Sequence, residues 1–238
     1  MRYVRALVIL FVILFLILNL WGAASADKLV VVTSASWGAT QGELRQFERS
    51  SSGRWVAVGR PLAVVVGKGG MGWGEGLASP RRDLGGPDKK EGDGRTPAGI
   101  FALAEATGYD DAPPPGTTLP YRTASTQLRC VDDGASKAYN TLADAPGDWS
   151  SAEVMRRADE LYRLTIVVAH NAARAPGKGS CIFLHVWRSA AAPTVGCTAM
   201  PLESLARLLG WVDKETRLVE LPRPVYDKVA ADWALPTL

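Results

Sequence analysis

Short β-strand patterns dominate this sequence, and they do not alternate with helices. Runs rich in Val, Ile, Thr, Phe and Trp predict strands, and some of them alternate apolar with polar residues. The predicted strands cover residues 28–33, 43–49, 55–58, 62–66, 96–103, 164–169, 180–187 and 216–221. Because no regular β–α alternation joins them, a doubly wound parallel sheet is excluded. The sequence therefore predicts an α+β, mostly β fold with a few short helices.

Three helices are predicted among these strands, at residues 150–162, 201–210 and 225–233. The first rests on a capping-box pattern, in which Ser150 is followed three residues later by Glu153. The second begins at Pro201 and ends at Gly210, the residue types that favour the start and the end of a helix. Its leucines recur at helical spacing and are expected to face the core.

The N-terminus has the pattern of a secretory signal peptide. Two arginines precede a continuous apolar run at 6–20, and Ala-Ser-Ala at 24–26 is typical of a cleavage site. The alternative is an uncleaved anchor, because no charged residue interrupts the segment. Either interpretation places residues 27–238, predicted to be a single domain, outside the cytoplasm.

Export changes the interpretation of the three cysteines, Cys130, Cys181 and Cys197. In an oxidising compartment two cysteines tend to pair, and the third is either a liability or a working thiol. Cys197 precedes a predicted helix, whereas the other two do not. We therefore predict a disulfide between Cys130 and Cys181, with Cys197 free.

Two classes of binding protein are disfavoured. Residues 67–72 match G-x-G-x-x-G, but the glycines and proline that follow do not predict the helix that dinucleotide binding requires. A flexible loop within the Gly-rich segment 67–94 is the better interpretation. The net charge is only +3 and basic residues are not clustered, so no nucleic-acid partner is expected.

His185 and Cys197 are the residues that best suit catalysis. His185 lies near the end of a predicted strand, and Cys197 follows Gly196 in a tight turn before the helix at Pro201. A helix N-terminus and a nearby imidazole would both lower the thiol pKa. The N–H groups around Gly196 could hold an oxyanion.

Two alternatives to catalysis stay open at this point. Cys197 could be a buried residue or half of a disulfide. Zinc ligation by the two cysteines 181 and 197 with His170 and His185 is the other alternative. It is disfavoured because Cys181 and His185 lie roughly 13 Å apart along an extended strand.

The motif Thr194-Val-Gly196-Cys197 after His185 resembles the signature of the YkuD-type L,D-transpeptidase catalytic domain. The segment 94–101 (GRTPAGIF) is similar to the family's TPxGxF strand. This resemblance implies a mostly β, β-sandwich-like catalytic domain. The chain departs from the family at Val186, Val195 and Ala199, and its His-to-Cys loop is shorter, which puts the details of substrate binding in doubt.

The resemblance implies a cysteine acyltransferase that acts on peptidoglycan stem peptides. Cys197 would be the nucleophile, His185 its base and acid, and Gly196 part of the catalytic turn. Arg188, Thr194 and Asn171 are candidate substrate-binding residues. The alternatives are that Arg188 is merely solvated and that Asn171 forms a turn. No cofactor and no metal are implied. Alternatives are a hydrolase that uses the same pair and a non-catalytic wall-binding module.

The expected setting follows from the same resemblance and from the N-terminal segment. We expect a monomer in the periplasm or extracytoplasmic envelope. Contact with the membrane is expected only through an uncleaved N-terminal segment.

Overall fold

A computed structural model describes residues 27–238, so the predicted signal segment, residues 1–26, lies outside the described residues. The strands in this range are β1 (Lys28–Ser34), β2 (Gln41–Arg49), β3 (Trp55–Val65), β4 (Met71–Trp73), β5 (Thr96–Gly108), β6 (Tyr121–Thr123), β7 (Leu128–Val131), β8 (Leu142–Asp144), β9 (Ala152–Val154), β10 (Leu164–Val168), β11 (Phe183–Val186), β12 (Thr198–Met200) and β13 (Arg217–Pro222). The α-helices are α1 (Leu202–Trp211) and α2 (Arg223–Val229). Among the described residues, no helix has both the length and the apolar composition needed to cross a membrane.

Eight strands close into a barrel. Their order is β5-β10-β11-β12-β3-β2-β1-β13, and the ring closes because β10 and β13 both pair with β5. The length of β5 permits this, since β13 pairs with residues 99–102 and β10 with residues within 103–108. The prediction of a mostly β fold is confirmed. The sandwich-like arrangement is corrected to a closed barrel, which leaves no free sheet edge in the ring.

The main apolar core combines the barrel strands with the two helices. Helix α1 buries Leu205, Leu208 and Leu209 and packs on β10 and β11. This confirms the predicted second helix, and it supports the strand that carries His185. The chain forms one long β3 where two short strands were predicted, and α2 begins two residues before its predicted start.

A smaller apolar cluster lies between the barrel and a three-stranded sheet of order β8-β7-β9. Both sheets contribute, since the cluster includes Leu128 and Cys130 of β7 and Phe183 of β11. Tyr162 and Cys197 are also members. The proposed nucleophile is therefore held between two layers of structure.

The helix predicted at 150–162 is wrong, because that segment forms β9 followed by turns. β9 pairs with β7 in antiparallel register. Ser150 does not cap a helix, since its N–H and its hydroxyl both donate to Asp133 at 2.7 Å. Glu153 accepts a hydrogen bond from the Tyr162 hydroxyl instead of reaching back to a cap. Pairing with β7 thus overrides a local helix signal.

A carboxyl group is enclosed within the fold at Glu220 of β13, which has no exposed surface. Its Oε1 accepts a hydrogen bond from the Thr198 hydroxyl at 2.5 Å, and its Oε2 has no partner among the described residues. Burial raises the pKa of Glu220 to about 8, and the Thr198 hydrogen bond opposes that shift more weakly. Glu220 is therefore protonated at neutral pH.

The contribution of Glu220 to stability is expected to fall as pH rises from about 4.5 to 8. The unfolded chain releases the Glu220 proton near pH 4.5, whereas the folded protein keeps it to about pH 8. The folded state thus binds more protons in this window, which costs roughly 3–5 kcal/mol by pH 8. Glu220→Gln keeps an acceptor for Thr198 and should remove this loss. Chemical denaturation at pH 5 and pH 8 measures it. The exposed Glu203→Gln is the control, and an unchanged pH dependence in Glu220→Gln would contradict the prediction.

Candidate active site

His185 and Phe183 share one face of β11, and Cys197 lies directly before β12, the strand that pairs with β11. β11 and β12 pair in parallel, with His185 opposite Ala199. The Phe183 N–H, two residues before His185, donates to Cys197 Sγ, so the thiol lies against β11. The two candidate catalytic residues are therefore brought near each other by strand pairing rather than by one continuous motif.

The Tyr162 ring packs over this face. Its centroid lies 5.2 Å from that of His185 and 5.5 Å from that of Phe183, in edge-on geometry in both cases. Its hydroxyl donates to the Glu153 carboxylate. A phenol and a carboxylate from the misassigned segment 150–162 thus form one wall of the site.

The Cys197 thiol is enclosed, with only 3% of the residue exposed. The Phe183 N–H donates to Sγ at 3.3 Å, and Sγ lies 3.6 Å from the Cys181 carbonyl oxygen, which can accept its proton. Both contacts come from backbone groups, so the direction of the thiol is determined by the fold. A substrate can reach Sγ only if part of the covering structure moves.

Burial determines the charge of both groups. It raises the pKa of the Cys197 thiol, with Glu153 as the next contributor. It lowers the pKa of His185 to about 4, although the carbonyls of Val186 and Leu161 favour the protonated ring. His185 Nδ1 lies 2.8 Å from the Val186 oxygen, which places the proton on Nδ1 and leaves the lone pair on Nε2. At neutral pH the site is an uncharged thiol with an uncharged imidazole.

The expected stabilisation of a thiolate by the helix N-terminus is therefore wrong. β12 lies between Cys197 and α1, which begins only at Leu202. The effect of a helix dipole is confined to its end turns. Desolvation of the thiol dominates at this distance.

The turn before Cys197 depends on glycine and on two hydroxyl groups. Gly196 has a φ of 150°, and a Cβ there would lie 3.2 Å from the Arg95 oxygen. The hydroxyls of Thr194 and Thr96 both donate to the Cys197 carbonyl, at 2.6 and 3.1 Å. The Cys197 N–H has no hydrogen-bond partner among the described residues.

A cleft of about 320 Å³ leads to His185. It is lined by Arg157, Leu161, Tyr162, His185, Arg188, Ala192, Pro193, Thr194 and Val195. Arg157 forms two hydrogen bonds to Asp159, at 2.7 and 2.8 Å, and Arg188 approaches the same carboxylate at 3.6 Å. Two cations thus share one anion, which leaves positive charge in the cleft. Two predicted substrate-binding residues, Arg188 and Thr194, line it.

A second cavity, of about 390 Å³, lies against the disulfide and is lined in part by Cys130, Cys181 and Phe183. These include the two residues whose backbone groups contact the Cys197 sulfur. Cys197 lines neither cavity.

The third predicted substrate-binding residue, Asn171, is not brought to the cleft. Its amide donates to the oxygens of Ala175 and Gly179, and its Oδ1 accepts from the Ala175 N–H. Its φ of 51° suits the turn that these bonds form. The neighbouring His170, considered above only as a zinc ligand, is buried.

Cys130 and Cys181 form the predicted disulfide, and Cys197 is free. The bridge ties β7 to the segment that enters β11. It also engages Cys181, which would have been a ligand in the zinc alternative. Cys181 has a φ of 54°, a conformation uncommon for a residue with a side chain. The strand predicted at 180–187 therefore begins only at Phe183 and ends at Val186.

Loss of the disulfide is expected to lower the free energy of unfolding and to leave stem-peptide turnover largely unchanged. The bridge spans 51 residues, and removing a native bridge typically costs about 2–5 kcal/mol. A Cys130→Ala, Cys181→Ala protein keeps the backbone carbonyl that faces Cys197. Denaturation with and without reductant measures the cost, and thiol counting should give one free thiol before reduction and three after it. A bridge that contains Cys197 would contradict this pairing.

The comparison with protein families gives a match, whereas no curated protein and no solved structure matches the chain. Residues 36–226 match the YkuD family, described as the L,D-transpeptidase catalytic domain. The matched region contains the whole barrel except β1, together with His185, Cys197 and the cleft. The chain therefore belongs to the YkuD family of L,D-transpeptidase catalytic domains.

Proposed function

We propose that the protein is an exported L,D-transpeptidase that processes peptidoglycan stem peptides through a thioester on Cys197. The observation that carries the proposal is the strand pairing that brings Cys197, directly before β12, against the strand that carries His185, in a domain of this family. The disulfide supports export, because such bridges persist mainly in oxidising compartments. The N-terminal segment would direct that export.

The first half-reaction begins with attack of the thiol on a stem-peptide carbonyl. The scissile bond joins the L-centre of the diamino acid to the terminal D-residue. Because both groups are uncharged at rest, His185 takes the thiol proton as the S–C bond forms. Once the covering structure moves, the unpaired Cys197 N–H would donate to the developing oxyanion. His185 then protonates the leaving amine, the C–N bond breaks, and the D-residue departs.

The second half-reaction transfers the acyl group. The amine of an acceptor attacks the thioester, and His185 takes its proton. The C–S bond breaks, and that proton returns to sulfur. One peptide bond has been exchanged for another, and the thiol is regenerated. With water as the acceptor, the same steps give a hydrolase.

We propose that the two arginines of the cleft, Arg157 and Arg188, bind a carboxylate of the donor peptide. The family position that often carries Arg or Asn is Ala199 here, and that side chain cannot bind an anion. Arg157 and Arg188 line the cleft beside His185 and supply cations from other parts of the chain. Guanidinium groups bind carboxylates through charge-assisted hydrogen bonds.

Arg188→Gln is expected to raise KM for a donor with a free carboxylate by about tenfold, the loss of ~1.4 kcal/mol of binding, with kcat nearly unchanged. Steady-state kinetics with a stem peptide measure this, and an amidated donor should not respond. Arg122→Gln is the matched control, because Arg122 is an exposed arginine paired to Asp144 and is absent from the cleft lining. An equal KM change in that control would overturn the assignment.

Incubation of the protein with peptidoglycan followed by muropeptide analysis tests the proposed function. New cross-linked dimers support a transpeptidase. Stems that lose the terminal D-residue without dimers indicate the hydrolase alternative. An unchanged profile contradicts catalysis and favours a wall-binding module.

A further inference from the structure

The carbonyl oxygen of Cys197 is held by two threonine hydroxyls from distant parts of the chain. Thr194 belongs to the turn before the nucleophile and donates at 2.6 Å. Thr96 begins β5, lies 101 positions away along the chain, and donates at 3.1 Å. Thr96 has no exposed surface, so no water competes for its hydroxyl.

The direction of each hydroxyl proton is determined by a second hydrogen bond. The Gly67 N–H donates to Thr96 Oγ1 at 2.9 Å, and the Gly196 N–H donates to Thr194 Oγ1 at 3.1 Å. Because each oxygen accepts from a backbone amide, its own proton is left to point at Cys197. Two short chains of hydrogen bonds thus converge on one carbonyl, and such chains polarise one another.

This arrangement fixes the peptide plane that follows the nucleophile. A carbonyl held from two sides cannot rotate, which restricts the backbone at Cys197 and hence the direction of its Cα–Cβ bond. The other contacts to the residue act on Sγ, from Phe183 and Cys181. The Cys197 N–H is left free in this arrangement.

We propose that Thr96 is a positioning residue for the nucleophile and that it acts with Thr194 through the Cys197 carbonyl. The proposal rests on the proposed function, in which Cys197 is acylated. It gives the threonine of the TPxGxF segment a role in the reaction. It also assigns the Thr194 hydroxyl to the nucleophile's turn rather than to substrate, because both hydrogen bonds of that hydroxyl stay within the turn.

The test compares Thr96→Val with a matched control, Thr216→Val. Thr216 is also without exposed surface, and its hydroxyl likewise accepts a backbone N–H and donates to an oxygen, both of Asp213. Both variants should lose similar stability. Only in Thr96→Val should kcat fall, by about 10- to 100-fold, with KM nearly unchanged. Small misplacements of reacting groups have effects of this size. Thr96→Ser should restore most of kcat.

A second measurement detects the hydrogen bond from Thr96 to the Cys197 carbonyl independently of activity. Cys197-Thr198 is the only Cys-Thr pair in the chain, so ¹³C′-cysteine and ¹⁵N-threonine labelling gives a single carbonyl NMR signal for Cys197. Loss of a hydrogen bond shields a carbonyl carbon. The signal should therefore move upfield in Thr96→Val and stay in place in Thr216→Val.

The outcomes separate the two proposals. Full kcat in Thr96→Val, or an equal loss in Thr216→Val, overturns the positioning role, as does an unmoved carbonyl signal. If Thr96→Val does not fold, Thr194→Val removes the other hydroxyl at a half-buried site and must lower kcat in the same way. A wild-type protein that processes no stem peptide contradicts the proposed function, while the carbonyl signal still decides whether Thr96 holds Cys197.

Discussion

Replacing Cys197 with alanine is expected to lower stem-peptide turnover by at least ~10³-fold, because removing a catalytic nucleophile has effects of this size or larger. The fold should survive. The change removes one sulfur atom from the smaller apolar cluster and should cost about 1 kcal/mol of unfolding free energy. Muropeptide analysis measures the turnover, and chemical denaturation measures the stability.

Cys197→Ser distinguishes a nucleophile from a packing residue. Serine keeps a hydrogen-bonding group for the Phe183 N–H but lacks the acidity and nucleophilicity of a thiol. It should be nearly as inactive as alanine. The Cys130→Ala, Cys181→Ala protein should behave in the opposite way, with a lower free energy of unfolding and stem-peptide turnover largely retained.

Intact-protein mass spectrometry with a stem-peptide donor or a carbapenem should detect an adduct on Cys197. Processing of stem peptides by Cys197→Ala at the parent rate would show that the assignment is wrong and would favour the binding-module alternative.

The candidate site could be located from the sequence where its signal was local. The turn Thr194–Cys197 and the preceding His185 lie within a short stretch, and both residues of the pair are visible in the sequence. The disulfide was predictable from the number of cysteines and the expected compartment. The closure of the barrel was not, because it depends on β5 being long enough to pair with β10 and β13 at once.

Residues that reach the site through tertiary contacts could not be identified from sequence patterns. Tyr162, Glu153 and Arg157 lie in a segment whose capping-box pattern predicted a helix, and only its pairing with β7 brings them to His185. The TPxGxF segment did stand out, but nothing in the sequence shows that Thr96 contacts the Cys197 carbonyl. Sequence patterns also could not show that the Cys197 thiol and the His185 imidazole are both uncharged at rest, because burial and not the helix N-terminus determines their pKa values.

The second large effect is expected for His185→Ala, which should lower turnover by about 10²–10⁴-fold, the range typical of a general acid–base group. Because the thiol is uncharged at rest, its proton must go to a base during attack, and Nε2 of His185 carries the free lone pair. Alkylation of Cys197 at neutral pH should slow in the same variant.

The pH dependence gives an independent test of this role. Since the pKa of His185 is about 4, wild-type activity should persist below pH 6 and fall as pH drops through about 4, where the lone pair is lost. Acid also destabilises the fold, because the unfolded chain binds a proton on each histidine near pH 6.5 and the folded protein does so only near pH 4. Stability is therefore lost between about pH 6.5 and 4. Thermal unfolding must be followed at every pH at which turnover is measured.

His170→Gln separates the two effects. His170 is buried, its pKa is also lowered to about 4, and its Nε2 lies 2.9 Å from the Lys178 oxygen, in a loop apart from the cleft. The variant should weaken the acid dependence of stability as His185→Ala does, and it should keep its turnover at pH 7. If both variants lose turnover equally, His185 acts through stability alone. If His185→Ala retains the parent rate, the proton of Cys197 goes to another group and the mechanism proposed for this site is wrong.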